Sequence, residues 1–550
     1  MYSLWQNRGM DRSSRVPGAP ALRVGLFGWG VVAPRSPNID AFRSNLESAG
    51  SWLAPFDGFG PDNFLVGHPE FDFGDYKAWI DERFPPNRFP QLADKMDLPA
   101  QYAIGAFVQA LNQNPGIERV LTDLGSAAHV YIGSGVGAIG TIHDESLALY
   151  RAQRRWNRFW AAEERNSALA SFRQGSAEKE AFAEIPPDPA TAEIDDPEIR
   201  NRSEDEWWAY WAARSPELGQ YLEALAEIEN LAVEGEIEAG KLRVIKEKQR
   251  RRARLKRTWG APEPPWSQVS ANLIWNIHNI PAAQVSMLGH ITGLAFAPVA
   301  ACSTFGVTLK LALDAIRSGE AKAVVVGATD PPPHPLLVGA FYKARVVSAD
   351  RAVSKPLTEL RGTHVAGGSV VWILGDYEEM TAYGFTPVGM EPLAVGVSSD
   401  ADHIITPSTA GPRAAIEQAM ASAGVAPAEV SSWDLHATAT PGDFQEVENL
   451  RQTIPDPVLV TARKGIFGHG MAAGGGWELT AQYLGFERGR LFPTPLGEEE
   501  LNRAIGSLGE DFVFEQALTA PAGIAGKLSM GIGGVNACVL SRPWDKDESD

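Results

Sequence analysis

The chain has 550 residues, of which 44% are hydrophobic and 21% charged, with a formal net charge of −19. This composition is typical of a globular protein with one large core or two to three domains. The acidic balance argues against a chain-wide nucleic-acid surface. Two cysteines form no disulfide framework, which indicates a reducing compartment. With no signal peptide and no apolar run of about 20 residues, we expect a cytoplasmic protein without a membrane span.

Short apolar stretches alternate with amphipathic helical stretches from Leu22 onward. In chain order the apolar stretches include "ALRVGLFGWGVV", "HVYIGSGVGAIG", "KAVVVGATD", "GGSVVWILGD", "EPLAVGVSSD", "SWDLHATAT" and "PVLVTARKG". Apolar strands of this kind, separated by helices, are typical of largely parallel sheets that helices cover on both faces. The sequence therefore predicts the α/β class.

A region from about residue 142 to residue 270 breaks this alternation. It has few strand signals, and its helical stretches are rich in aromatic residues. A proline- and acid-rich connector, "EIPPDPATAEIDDPEIRNRSED", divides it, and the cationic stretch "KLRVIKEKQRRRARLKR" follows. We interpret the region as a mostly α-helical insertion. Its aromatic side chains either pack within the protein, which we favour, or form a partner surface.

Cys302 follows a short apolar stretch and comes at the start of a predicted helix in "VAACSTFGVTLKLALDAIRSG". A cysteine near the positive end of a helix dipole has a lowered pKa, which favours the nucleophilic thiolate. The alternative is a small buried hydrophobic residue with no chemical role.

Two of the ten histidines end apolar strands. His436 lies in "DLHATATPGD" and His469 in "KGIFGHGMAAGGGWE", with Lys464 five residues earlier. Strand ends are where α/β proteins carry their sites. A lone histidine there is usually structural, but this pair together with Cys302 and Lys464 forms a candidate set for nucleophilic catalysis.

Four stretches carry a resemblance to a known family. "ACSTF", "HATATPGD", "KGIFGHGMAAGGG" and "SMGIGGVNACVL" resemble, in this order, the signature stretches of β-ketoacyl-acyl-carrier-protein synthases, which are condensing enzymes of the thiolase fold. "GVSSDADHIITPS" and "IGSGVGAIG" are similar to the elongating type II branch. The resemblance extends from Leu22 to Pro543, apart from the insertion.

The resemblance implies a thiolase-like, five-layered α-β-α-β-α fold of two pseudo-equivalent halves. We expect an N-terminal tail over residues 1–21, a first half over 22–383 that the insertion interrupts, and a second half over 384–550. The implied partner is an acyl carrier protein, which brings its own phosphopantetheine, so that the enzyme binds no cofactor or metal of its own. The implied assembly is a homodimer, with a heterodimer as the alternative.

The resemblance also implies residue roles. Cys302 would take the acyl chain, while His436 and His469 would donate Nε2–H groups to an enolate formed by malonyl decarboxylation. Backbone N–H groups of Cys302 and Met530 would hold the oxyanion, in a gate turn that includes Ile532. Lys464 would support the second histidine, and Glu478 would give structural support. Thr438 and Thr440 would bind the pantetheine arm, and Val136 would line the acyl pocket.

The sequence departs from the family pattern at several points. The turn after His436 is one residue shorter, and no acidic residue remains in "HVAGGSVVW". Met530 stands where a gating phenylalanine is common, and Val136 where isoleucine usually limits chain length. Both substitutions predict a softer or wider acyl pocket.

The resemblance predicts a ketosynthase that elongates a carrier-bound fatty acid, polyketide or polyene chain by decarboxylative Claisen condensation. The alternatives are a non-elongating acyltransferase or decarboxylase, and a non-catalytic partner subunit of a heterodimer. Thiolase-type degradation is a further option, but it needs a second catalytic cysteine, and Cys538 is better interpreted as structural.

The cationic stretch suggests a docking surface. An acidic protein must recruit an acidic carrier through a local positive patch, which predicts a carrier-docking role for Arg250, Arg251, Arg252 and Arg254. The alternative is a solvated basic helix face.

Overall fold

The computed structural model describes residues 22–60, 63–176, 182, 184–192, 194–232 and 237–544. The chain divides into two compact units, one of residues 1–140 with 275–550, the other of residues 141–274. The predicted insertion, about 142–270, falls within the second unit. The predicted N-terminal tail, 1–21, lies outside the described residues.

The first unit contains the strands. In chain order they are β1 (Val24–Val32), β2 (Ala54–Pro55), β3 (Leu65–Val66), β4 (Ala128–Gly133), β5 (Ala295–Phe296), β6 (Ala323–Asp330), β7 (Gly368–Asp376), β8 (Met390–Ser399), β9 (Val430–Asp434), β10 (Leu459–Thr461), β11 (Arg490–Leu491), β12 (Asp511–Phe512), β13 (Leu518–Thr519), β14 (Ile524–Gly531) and β15 (Val535–Pro543).

The helices occur in both units. They are α1 (Ile39–Asn45), α2 (Lys77–Arg83), α3 (Arg88–Lys95), α4 (Leu98–Leu111), α5 (Ile117–Leu124), α6 (Ile139–Trp160), α7 (Ser167–Arg173), α8 (Pro197–Ala212), α9 (Pro216–Glu229), α10 (Ile237–Trp259), α11 (Ile280–Leu288), α12 (Thr304–Ser318), α13 (Pro335–Lys343), α14 (Tyr377–Ala382), α15 (Ala410–Ala423), α16 (Gly442–Thr453), α17 (Lys464–Phe467), α18 (Met471–Glu487) and α19 (Arg503–Gly506).

The two large sheets repeat one topology. The first has the order β1-β7-β6-β4-β5 and the second the order β8-β15-β14-β9-β10-β12. In each sheet the first three strands pair antiparallel and the following strands pair parallel. The repeat confirms two pseudo-equivalent halves.

The sheets are mixed, whereas the apolar strand pattern predicted largely parallel ones. The reason is visible between β14 and β15, which a three-residue turn, Ile532–Gly534, connects. A turn this short can join only antiparallel neighbours. Gly533 and Gly534 have φ values of +92° and +76°, a left-handed conformation that favours glycine.

Helices cover both sheets and fill the space between them. α4 and α11 pack on the first sheet, α15 packs on the second, and α12 and α18 contact strands of both. Met471 to Phe486 of α18 are all buried, as a helix enclosed on every side requires. The predicted five-layered α-β-α-β-α thiolase fold is therefore confirmed.

The second unit is helical in its described part, from the third residue of α6 through α10, as predicted. Its aromatic residues form a core of their own, which includes Trp156, Trp160, Trp207, Trp211 and Tyr221. This packing agrees with the favoured interpretation of the aromatic stretches. Across the described ranges of both units, no helix is long and apolar enough to cross a membrane.

Candidate active site

Cys302 lies in a single 3-10 turn, Ala301–Ser303, that leads into α12. The residue before it, Ala301, has a φ of +47°, which is uncommon for a residue with a side chain. Ser303 Oγ donates to the carbonyls of Ser529, at 3.0 Å, and Val535, at 2.7 Å. These bonds fasten the cysteine turn to β14 and β15.

The fold brings both predicted histidines to this turn. His469 Nε2 lies 3.1 Å from Cys302 Sγ. The His436 ring lies 5.3 Å from that of His469, centre to centre, and nearly perpendicular to it. All three side chains line one cavity of about 420 Å³. His436 and His469 thus form one site with the cysteine, although they follow it by 134 and 167 positions along the chain.

The pKa of the Cys302 thiol differs from the one that the sequence predicts. Burial raises the pKa of Cys302 to about 11, although the backbone N–H of Ile532 and the charge of Lys464 act in the opposite direction. The expected lowering by the helix start was therefore wrong, because desolvation of a thiolate outweighs the dipole here. The thiol is protonated at neutral pH, and the His469 imidazole lies beside it.

Both histidines are neutral at physiological pH. Burial, reinforced by the charge of Lys464, lowers the pKa of His436 and His469 well below the ordinary value. Lys464 Nζ lies 3.5 Å from His436 Nδ1. Because an ammonium can only donate, Nδ1 is the acceptor and the ring proton is at Nε2. His436 can therefore donate a hydrogen bond from Nε2.

Lys464 does not take the expected position. The resemblance implied support of His469, whereas the ammonium donates to the carbonyl of His436 and, at 2.6 Å, to Glu478 Oε1. The reason is that β10, which precedes Lys464, pairs with β9, which precedes His436. Glu478 on α18 lies directly behind this pair.

The backbone N–H groups that act on Cys302 Sγ include that of Ile532 rather than that of Met530. Met530 lies within β14, opposite Asn536 of β15, and its side chain lines the cavity. The backbone N–H groups that stabilise charge on Cys302 Sγ are those of Ile532 and of Cys302 itself. Ile532 is the first residue beyond the strand, where its N–H no longer belongs to the sheet.

Thr438 and Thr440 both line the cavity, with hydroxyl oxygens 3.0 Å apart. The Asp443 carboxylate shapes their turn by accepting the N–H groups of Thr438, at 2.8 Å, and Thr440, at 3.3 Å. The shortened turn after His436 is thus held by a buried acid that the sequence analysis did not single out.

Val136 lies elsewhere than predicted. It is not among the cavity-lining residues, and it packs in an apolar cluster with Met471 and Phe341. Its N–H donates to the buried Asp330 carboxylate at 2.9 Å, which draws the glycine-rich loop toward β6. Phe341 belongs to both the cluster and the cavity wall, so Val136 is near the cavity without lining it.

The four predicted docking arginines lie on α10 of the second unit. Two of them pair with Glu247, Arg250 at 3.2 Å and Arg251 at 2.7 Å, and Arg252 pairs with Glu229. Neighbouring glutamates of the same unit therefore neutralise part of this cationic face.

The sheet repeat and the buried cysteine with its two histidines define a protein of the thiolase fold. Within that fold, two stretches of the chain match family models of β-ketoacyl synthases. The family model "Beta-ketoacyl synthase, N-terminal domain" matches residues 255–379, and "Beta-ketoacyl synthase, C-terminal domain" matches residues 391–497. The second match contains both site histidines, and the first contains Cys302.

Two curated relatives illustrate the similarity. Nodulation protein E of Rhizobium sp. (strain N33) is 28% identical over 218 residues, which are 39% of this chain and 54% of that protein. The 3-oxoacyl-[acyl-carrier-protein] synthase 2 of Staphylococcus aureus (strain COL) is 27% identical over 284 residues, which are 49% of this chain and 66% of that protein. The alignments thus span between half and two thirds of these relatives.

Two solved structures share the fold. The ishigamide ketosynthase/chain length factor has a TM-score of 0.64 and 19% identity, covering 96% of this chain and 100% of that chain. A type II PKS acyl-carrier protein in complex with its ketosynthase bound to the hexaketide has a TM-score of 0.63 and 16% identity, with the same coverage. At such identities the likeness concerns the fold alone.

Proposed function

We propose that the protein is a ketosynthase that condenses a Cys302-bound acyl chain with a malonyl group on an acyl carrier protein. The observation that carries the proposal is the 3.1 Å contact between Cys302 Sγ and His469 Nε2, with the His436 ring packed edge-to-face on that of His469 in the same cavity. The phosphopantetheine arrives on the carrier, and the enzyme supplies no cofactor of its own.

The first half-reaction is acyl transfer. His469 Nε2 accepts the thiol proton as Cys302 Sγ attacks the thioester carbonyl carbon. The backbone N–H groups of Cys302 and Ile532 stabilise the tetrahedral oxyanion. The departing pantetheine thiolate recovers the proton from His469, which leaves a neutral imidazole and an acyl-cysteine.

The second half-reaction is decarboxylative condensation. Loss of CO2 from the malonyl thioester leaves an enolate, whose oxygen accepts hydrogen bonds from Nε2–H of His436 and His469. His469 Nδ1 has no hydrogen-bond partner among the described residues, so that ring can carry its proton on either nitrogen. The enolate carbon attacks the acyl-cysteine, Cys302 Sγ leaves as a thiolate, and a β-ketoacyl carrier forms.

The two alternative functions, a non-catalytic partner subunit and a simple acyltransferase, do not need all three of these side chains in one cavity. A non-catalytic partner subunit needs neither a cysteine nor two neutral histidines in one cavity, and a simple acyltransferase does not need the second histidine. The site therefore favours condensation of a fatty acid, polyketide or polyene chain. Thr438 and Thr440, which line the cavity, would bind the pantetheine arm.

We further propose an acyl carrier protein as the partner and a dimer, of identical or related subunits, as the assembly. The solved complex of a carrier with its ketosynthase supports the first part. Carrier docking by Arg250, Arg251, Arg252 and Arg254 stays part of this proposal, in competition with their glutamate neighbours.

The acyl-enzyme tests the first half-reaction. After incubation with an acyl-carrier thioester and proteolysis, we expect the added acyl mass on the peptide that contains Cys302. The Cys302→Ala variant should carry none. Acyl mass on Cys538, or an unmodified Cys302 while the carrier is being deacylated, would contradict the proposal.

A further inference from the structure

Lys527 is a buried cation to which the sequence analysis gave no role. It lies in β14, in the otherwise apolar stretch "GIAGKLSMGIGG", and its side chain is 1% exposed. Burying an ammonium is unfavourable unless it is paired and hydrogen-bonded. Its surroundings therefore have to account for its presence.

The ammonium of Lys527 is fully engaged. Nζ lies 2.8 Å from Glu478 Oε2 and 3.7 Å from Asp434 Oδ1. It also donates to the carbonyls of Leu528, at 2.6 Å, and Leu435, at 3.2 Å. Leu435 directly precedes the site histidine His436, so Lys527 reaches the backbone of the candidate active site from behind.

Lys527 and Lys464 act on the same segment and the same carboxylate. Lys464 binds the carbonyl of His436 and Oε1 of Glu478, while Lys527 binds the carbonyl of the residue before His436 and lies against Oε2. On the other side, the buried Glu446 carboxylate accepts the N–H of His436 at 2.6 Å. Buried ionisable side chains therefore bind this histidine's backbone at both its carbonyl and its N–H.

Asp434 is mainly engaged by another cation. Its Oδ2 accepts from Arg463 Nε at 2.8 Å and from the Thr461 hydroxyl at 2.6 Å. The closer and more direct anionic partner of Lys527 is therefore Glu478, which also joins it to Lys464.

We propose that Lys527 is a positioning residue for His436 in the condensation step. The inference rests on the proposed function. Lys527 is not among the residues that line the cavity, so it acts through the backbone of Leu435, just after β9, and through Glu478 rather than on the substrate. A displacement of about 1 Å of a catalytic group can lower a rate by about a hundredfold.

Lys527 also influences the site electrostatically. The charges of Lys464 and Lys527 lower the pKa of both histidines, in addition to the larger effect of burial. Removing one cation therefore raises that pKa. The titratable groups around Lys527 are Glu478 of α18, Asp434 of β9, Glu446 of α16, Cys538 of β15, Arg463, Lys464 and the two histidines.

The test uses Lys527→Met, with Leu528→Ala as the matched control. Leu528 is the next residue of β14, is 1% exposed and packs in the apolar core, so its truncation weakens packing without changing the charge cluster. For Lys527→Met we expect about a hundredfold lower kcat for condensation. Acylation of Cys302 and the KM for malonyl-carrier should change less than about threefold, and the acid limb of the kcat profile should move to higher pH.

A second variant covers the case in which Lys527→Met does not fold. Lys527→Gln removes the charge but keeps a polar side chain and leaves the Arg463–Asp434 and Lys464–Glu478 pairs in place, and it should show the same selective loss of condensation. Condensation within about threefold of wild type in either folded variant would overturn the inference. So would an equal loss of both half-reactions, as a purely structural role predicts. Failure of the wild-type enzyme to acylate Cys302 would instead overturn the proposed function.

Discussion

Replacing His469 by alanine should lower the rate of malonyl-carrier decarboxylation by at least about a hundredfold, the usual effect of losing one oxyanion donor. The imidazole is buried and neutral, and its Nε2 lies 3.1 Å from the thiol, so the variant loses one of the two Nε2–H donors to the enolate. CO2 release from labelled malonyl-carrier measures the step. Acyl transfer should also fall, because His469 accepts the thiol proton, and only a residual rate should survive on the retained backbone N–H groups of Cys302 and Ile532.

Two further histidine variants test whether the effect is specific to the site. His436→Ala should also reduce condensation severely, since it removes the second Nε2–H donor. His129→Ala is the control, because His129 is a buried histidine of β4 that binds Tyr131 and does not line the cavity. Near-normal condensation in either site variant, or an equal loss in the control, would refute the assigned roles.

The rate of alkylation of Cys302 by iodoacetamide should rise steeply with pH. With a thiol pKa of about 11, the thiolate fraction increases about tenfold for each pH unit and does not level off below about pH 10. Between pH 7 and pH 9 the alkylation rate should therefore rise about a hundredfold. Stopped time courses, read by mass spectrometry of the Cys302 peptide, give this rate.

The chain provides its own control for the alkylation. Cys302→Ser leaves Cys538, which is fully buried in β15, so the folded variant should remain unlabelled over the same period. A wild-type rate that levels off between pH 7 and pH 8 would show a thiolate already formed at neutral pH. That outcome would restore the helix-dipole expectation and exclude His469 as the necessary proton acceptor.

Features that depend on local pattern were predictable from the sequence. The apolar stretches predicted strands β6 and β7. The loss of strand–helix alternation after residue 141 predicted the helical insertion. The four motif stretches brought Cys302, His436 and His469 into one hypothesis, and the fold places them in one cavity. Residue type and local spacing carry this information, because they decide which segments are buried and which side chains can react.

Features that depend on tertiary packing were not predictable in the same way. The strand partner of β10 decides that Lys464 faces His436 rather than His469. The end of β14 decides that Ile532, two residues beyond Met530, supplies the backbone donor. The pKa of Cys302 follows from how deeply the helix start is buried, which a dipole argument from sequence does not include.

The buried charged residues were difficult to recognise from the sequence. Lys527 and Arg463 each interrupt an apolar or small-residue stretch, and a charged residue in such a place is a sign of a buried partner. Their partners, Glu478 and Asp434, lie 49 and 29 positions away along the chain. No local rule could have paired them before the sheet order was known.

The most direct test of condensation is to identify the product on the carrier. Acyl-primed enzyme, freed of excess primer, is incubated with malonyl-carrier, and intact carrier is analysed by mass spectrometry. A condensing enzyme should yield a carrier that has lost CO2 and gained the acyl group, a β-ketoacyl chain, with none formed by Cys302→Ala. Acetyl-carrier alone, with the primer still on Cys302, would show decarboxylation without condensation and would contradict the proposed function.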